Sequence, residues 1–171
     1  MRLFRTKNAK LNFWLDVVII TAFLTMLLYV FFWPVRVVGN SMAPNVNAGD
    51  LLIISRFLGF FGEFSHGDLV LASMEENSNR RNAIKRVVGV PFDHIIITDS
   101  FIYINGSRLD GIQLNRNVIF VDIVLGDGEY FLLGDNTTQS TDSRHFGPVQ
   151  RRDIIARMLL RYFPLTSMGI L

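Results

Sequence analysis

From Val17 to Val35 the chain reads VVIITAFLTMLLYVFFWPV, 19 residues without a charge. As a helix rising about 1.5 Å per residue, this run nearly covers a hydrocarbon core of about 30 Å. Trp14, Tyr29 and Trp33 lie toward its ends, where aromatic rings prefer the membrane interface. Asp16 marks the edge, because a carboxylate at the bilayer centre costs at least about 2.5 kcal/mol. Arg2, Arg5, Lys7 and Lys10 precede the run, and Arg36 alone follows it closely. Positive residues stay inside, so the expected layout is a cytoplasmic segment (1–16), a transmembrane helix (17–35) and an extracytoplasmic domain (36–171). The competing reading is a cleaved export signal. Its apolar stretch would run about 7–15 residues and end in an A-x-A pattern, which WPVRVVGN does not supply.

Composition agrees with an anchored chain: 50% of residues are hydrophobic and only 19% are charged. A net charge of +2 is too small to argue for nucleic acid, and no basic cluster interleaved with aromatics occurs, so no nucleic-acid partner is expected. The absence of cysteine excludes disulfides, zinc–thiolate sites and a thiol nucleophile. The roughly 135 residues after the apolar run suffice for a core of their own.

That remainder is read as mostly β. Short apolar or alternating runs predict strands over Leu51–Ser55, Asp68–Ala72, Ala83–Val90, His94–Thr98, Phe101–Ile104, Val118–Val124 and Tyr130–Leu133. Asn105-Gly106 predicts a hairpin turn, since both positions tolerate positive φ. Glu75–Asn82 (EENSNRRN) reads as a polar loop, and Asp153–Tyr162 fits either a strand or a short helix. The segment RFLGFFGEF holds Phe57, Phe60, Phe61 and Phe64; it suits core packing or contact with the outer leaflet.

Three stretches carry candidate chemistry. Ser41 stands in VVGNSMAP, just beyond the apolar run; taken alone, a loop serine is a turn residue. Lys85 lies on the strand AIKRVVGV, where alternation puts Lys85, Val87 and Gly89 on one face. Held against apolar neighbours, its amine would be pushed below its usual pKa and could accept a serine proton; as an edge lysine it would do neither. The third stretch, GDNTTQSTDSRHFGPV, is a polar loop in which Asp142 and Arg144 are spaced for a charge-assisted pair. His145 also permits an imagined Ser41–His145–Asp142 triad, which geometry alone can decide. The spacing of His66, His94 and His145 matches no metal box.

In this order the three stretches resemble the type I signal peptidases, membrane-bound serine–lysine proteases that remove signal peptides from exported proteins. Ser41-Met42-x-Pro44 is similar to the family's nucleophile box, and Gly67-Asp68-Leu69-Val70 to a short structural box. Lys85-Arg86-Val87-Val88-Gly89-Val90-Pro91 resembles the general-base box. Gly134-Asp135-Asn136, Ser140, Asp142-Ser143-Arg144 and Phe146-Gly147 resemble the last one. The resemblance implies one compact β-rich catalytic domain behind a single transmembrane helix. It implies Ser41 as nucleophile, Lys85 as general base, Ser140 orienting the lysine amine, and Asp142 with Arg144 as a supporting pair. The oxyanion would be held by the Ser41 N–H; Gly39 stands where some members place a serine as second donor. Phe92 replaces a common glycine, Asn45-Val46 a threonine–leucine pair and Thr137 a frequent arginine. The short EENSNRRN stretch favours the compact type of Gram-positive bacteria.

The implied substrates are preproteins with small residues at the first and third positions before the cut. They would be met at a lipid surface, with no metal or cofactor. The alternatives are a dedicated maturation peptidase for a pilus or conjugation protein, a self-cleaving repressor-type protease, and a non-catalytic membrane-anchored β-domain. The anchor and the lack of a DNA-binding segment speak against the repressor type.

Overall fold

The computed structural model describes residues 9–76, 79–98, 101–112, 114 and 119–171. Arg2, Arg5, Lys7, the centre of the EENSNRRN stretch and Val118 lie outside them.

Helix α1 (Ala9–Phe31) is 23 residues long, or about 35 Å. Phe13, Trp14, Val18, Ile19, Phe23, Met26 and Leu28 are all exposed on it, so it is apolar on all sides, and none of these is buried by the described residues. It is long and apolar enough to cross a membrane. The uncharged run is divided: α1 stops at Phe31, and Phe32–Arg36 forms strand β1. Pro34 accounts for the change, since proline breaks a helix interior and biases the residue before it toward extended backbone. It is tolerated in β1 because, among the described residues, this strand is at a sheet edge and pairs with β2 (Leu51–Ser55) alone.

The remaining strands are β3 (Leu69–Glu76), β4 (Asn79–Gly89), β5 (His94–Ile97), β6 (Ile102–Ile104), β7 (Ser107–Leu109), β8 (Val121–Val124), β9 (Glu129–Leu133), β10 (Val149–Gln150), β11 (Ile154–Phe163) and β12 (Gly169–Ile170). Among the described residues they form two antiparallel sheets. The larger runs β1-β2-β11-β3-β4-β9-β10, with β12 beside β11; the smaller runs β7-β6-β5-β8. Core side chains cover both faces of the larger sheet. Val70, Met74, Val87 and Leu132 belong to one cluster, and Met42, Leu52, Leu69 and Met158 to another. Val88 and Phe131 join Ile95, Ile97 and Ile102 of the smaller sheet in a third.

The mostly β architecture behind one apolar helix matches the sequence reading. Asn105 and Gly106 both have positive φ (52° and 80°), as the predicted β6–β7 hairpin requires. The segment Asp153–Tyr162 resolves as strand from Ile154 on, with Asp153 closing a 3-10 turn before it. The EENSNRRN stretch is largely strand, because β3 and β4 continue through Glu76 and Asn79. The phenylalanine-rich segment divides. Phe64 is buried, whereas helix α2 (Arg56–Phe61) exposes Phe60 and Phe61 and stacks Phe57 against Phe31 of α1. Gly59 lets α2 sit directly on β11: a Cβ there would lie 2.5 Å from the Ala156 Cα.

The two sheets are joined by the turn Val90-Pro91-Phe92-Asp93, closed by Asp93 N–H donating to Val90 O at 3.1 Å. Proline at the second position and positive φ at the third are the marks of a type II turn, which favours glycine third. Phe92 occupies that third position at φ 71° with its ring 70% exposed. A non-glycine residue there costs about 1–2 kcal/mol, against about 0.5–1 kcal/mol of extra backbone entropy lost by glycine. Phe92→Gly should therefore raise stability by about 0.5–1 kcal/mol. Thermal unfolding in detergent tests this; a lowered midpoint would mean that the ring makes contacts worth more than the strain.

Candidate active site

Ser41 lies in a loop closed on itself. Val37 N–H donates to Asp50 O at 2.9 Å, Gly49 N–H to Val37 O at 3.0 Å, and Val46 N–H to Met42 O at 2.9 Å. Met42, 1% exposed, plugs this loop into the core, leaving Ser41 half-buried beside it. Gly39, two residues earlier, has φ +86°, a conformation that favours glycine. This gives a backbone reason for glycine where the resemblance led one to look for a donor side chain.

Lys85 is on β4 and only 2% exposed, which removes the edge-lysine reading. Its Nζ donates to Ser140 Oγ at 2.7 Å. Val87, on the same face, is buried with Val70, the register partner of Lys85. Ser140 is held in turn by its neighbours along the chain. Asp142, fully buried, caps α3 (Ser143–Phe146), and its carboxylate accepts from Gly134 N–H at 3.0 Å. It accepts two more bonds from the Arg144 fork, Nε at 2.8 Å and Nη2 at 3.0 Å. The same Nη2 also donates to Thr137 O at 3.0 Å and to Ser140 O at 3.3 Å, tying the loop to the pair. Burial alone would raise the Asp142 carboxyl. Hydrogen bonds from Arg144 and Ser140, the Arg144 charge and the Gly134 N–H outweigh it and hold the group below the usual carboxylate range.

Gly134 permits this convergence. A Cβ there would lie 2.6 Å from both Ser140 Cβ and Ser41 O, so no other residue fits between the two loops. Asn136 N–H donates to Ser41 O at 2.9 Å and fastens the serine loop to the same segment. Ser41 and Lys85 open onto one cleft of about 320 Å³, with Gly39 and Asn40 beside the serine and Met74, Ala83 and Phe146 as its apolar lining. Met74 had no signal in the sequence and reaches the cleft through the β3–β4 register, whereas Phe146, part of the last motif, is carried there by α3. Ala83 was within reach of alternation from Lys85.

The triad is not assembled. His145 is exposed and turned to the helix cap, its Nδ1 accepting from Asp142 N–H at 3.3 Å, while the Asp142 carboxylate serves Arg144. His145 does not line the cleft. A larger cleft of about 590 Å³ lies against the opposite face of β4 around Arg86. There Arg86 is locked to Asp135 by bonds of 2.7 and 2.6 Å, and none of the candidate residues lines it. Among the described residues no group of three His, Cys, Asp or Glu is placed to hold a metal ion.

Residues 10–163 match the model of one family, described as signal peptidase, peptidase S26. The chain belongs to that family. Signal peptidase I of Bacillus licheniformis is 29% identical, over 94% of this chain and 93% of that one. Signal peptidase I of Streptococcus pneumoniae is 30% identical, over 82% of this chain and 87% of that one. The crystal structure of a signal peptidase I from Enterococcus faecalis matches 54% of this chain at 26% identity, with a TM-score of 0.43. Membership in the S26 peptidases makes the chain a serine peptidase, a hydrolase, and the Gram-positive relatives agree with its compact type.

The depressed Asp142 carboxyl sets a pH dependence. Its contribution to stability is complete above the ordinary carboxylate pKa of about 4 and is lost as pH falls through the lower folded value. Asp142→Asn leaves the Arg144 guanidinium buried and unpaired, so it should destabilise by about 3–5 kcal/mol at neutral pH. It should also flatten the acid limb of stability. Unfolding midpoints of both proteins between pH 3 and 7 test this, and parallel curves would show that Asp142 is not the titrating group.

Proposed function

We propose that the chain is a membrane-bound endopeptidase that cleaves signal peptides from preproteins through a Ser41–Lys85 dyad. The observation that carries this reading is the burial of Lys85 in the cleft that Ser41 lines, with its amine on Ser140 Oγ at 2.7 Å. A neutral amine has two N–H bonds and one lone pair. One N–H is occupied by Ser140, which keeps the lone pair available for the Ser41 proton. Burial disfavours the charged form of the amine, and Asp142, accepting from Ser140, keeps that hydroxyl's oxygen turned toward Lys85.

In the reaction Lys85 takes the hydroxyl proton as Ser41 Oγ bonds to the scissile carbonyl carbon. The resulting oxyanion is met by the Ser41 N–H. The C–N bond then breaks, the leaving amine takes the proton from Lys85, and the signal peptide remains as an ester on Ser41. Water, deprotonated by Lys85, hydrolyses that ester and restores the serine. The narrow lining of Met74, Ala83 and Phe146 suits small side chains near the cut. From Arg80 to Lys85 one edge of β4 has no strand partner among the described residues, which offers an extended substrate a place to pair.

Membrane attachment through α1 completes the reading. The Phe31–Phe57 contact and the exposed Phe60 and Phe61 continue its apolar surface onto the globular domain. The basic residues before the run orient the N-terminus to the cytoplasm and the cleft to the outer face, where a preprotein's cleavage site emerges.

Cleavage of a purified preprotein in liposomes tests the dyad. Ser41→Ala and Lys85→Ala should each reduce the rate by at least about 10³-fold, with His145→Ala retaining most of it. An active Lys85→Ala beside an inactive His145→Ala would replace the dyad with a triad. Because the amine must be neutral, the wild-type rate should fall as pH drops, and a rate independent of pH from acid to alkali would remove Lys85 as base.

A further inference from the structure

Met74 and Phe146 line two cavities at once. One is the cleft of about 320 Å³ onto which Ser41 and Lys85 open; the other is a smaller space of about 170 Å³. Phe146 is the last residue of α3, which is fixed by the Asp142 cap at its start and by Gly147 N–H donating to Ser143 O at 3.0 Å at its end. Half-buried, Phe146 packs against the core cluster that contains Met74, itself 7% exposed. Pro148 and Val149 add to the apolar lining of the smaller cavity, and Arg80 with Asp153, 3.6 Å apart, gives it a polar part.

This inference rests on the peptidase reading above. An extended substrate laid along the open edge of β4 repeats its side chains every two residues, as the strand does. With its first residue before the cut beside Lys85, its third falls beside Ala83. Ala83 pairs with Ala72 across the β3–β4 ribbon, and Met74 is the next residue on that face of β3. Met74 and Phe146 therefore close the space open to the third side chain. We propose that Phe146, with Met74, sets the upper size limit for the third residue before the cut by walling the cleft off from the smaller cavity. A cavity of about 150 Å³ holds benzene, so the space behind this wall has room for an aromatic ring once the wall is cut back.

The test uses the full chain in non-ionic detergent. One peptide set carries alanine at the first position before the cut and Ala or Phe at the third; the other carries alanine at the third and Ala or Phe at the first. The quantity read is the Phe-to-Ala ratio of kcat/KM at each position within each enzyme preparation, which does not depend on the fraction folded. Wild type should cut the third-position Phe peptide at least about tenfold less well than its Ala counterpart. Phe146→Ala should raise that ratio at least about tenfold and leave the first-position ratio unchanged. Met74→Ala opens the same wall from the other side and should act in the same direction. Phe146→Leu, which keeps an apolar side chain against the core, should give part of the effect. A wild type indifferent to third-position size, or variants that keep the wild-type ratio, would overturn the role of the wall and leave the peptidase reading intact. An equal rise at both positions would also overturn it, since that marks a site loosened in general. If the wild type cut none of the peptides, even with alanine at both positions, the peptidase reading would fall, and this inference with it.

Discussion

The carboxylate of Asp142 is the point on which the site's geometry depends. With no exposure of its own, it takes N–H groups from Gly134 and from the Arg144 backbone and fork, and it hydrogen-bonds Ser140. Those bonds reach the end of β9, the start of α3 and the loop between them. A buried ion pair is a poor source of net stability, because desolvation consumes most of the attraction. What this one supplies is definition: a polar loop with little apolar area of its own is held in one shape. Ser140 inherits its position from that shape, and the Lys85 amine inherits its position from Ser140.

Strand β4 is divided by the way its neighbours end. From Arg86 to Gly89 it lies between β3 and β9 and is sheet interior, whereas from Arg80 to Lys85 it has, among the described residues, a neighbour on one side only. The last residue of the open half is Lys85. A single strand thus gives the lysine a rigid, buried seat while leaving backbone groups beside it for another chain to use. On the opposite face the charges are consumed in structure: Arg86 with Asp135 and Arg161 with Asp50, both within 3.1 Å.

Much of this was legible in the chain itself, for reasons that differ by element. The strands LLIIS and YFLL were found because apolar runs bounded by turn residues need no knowledge of their neighbours. β1 was missed because its residues continue an apolar helix, and only pairing with β2 makes them a strand. β7 is three residues long, with no apolar alternation to announce it. Of the site, Ser41, Lys85, Ser140, Asp142 and Arg144 were all named from motifs, and the structure brings them to one place. Met74 was invisible because register, which is not local in sequence, puts it there. The family's glycine before Asp93 marked a backbone conformation that Phe92 adopts at a cost, so a departure from pattern was also readable as physics.

The junction between α1 and β1 has no intervening residue: the helix ends at Phe31 and the strand begins at Phe32. A flexible tether would let the globular part wander relative to its anchor. Here the helix is a stiff shaft joined directly to the sheet, and the Phe31–Phe57 contact braces the joint from α2, which is seated on β11 through Gly59. Any tilt of the shaft is therefore passed to the sheet and on to the cleft. With α1 in a bilayer, as proposed, the thickness of that bilayer would set the tilt and with it the height of the cleft above the lipid.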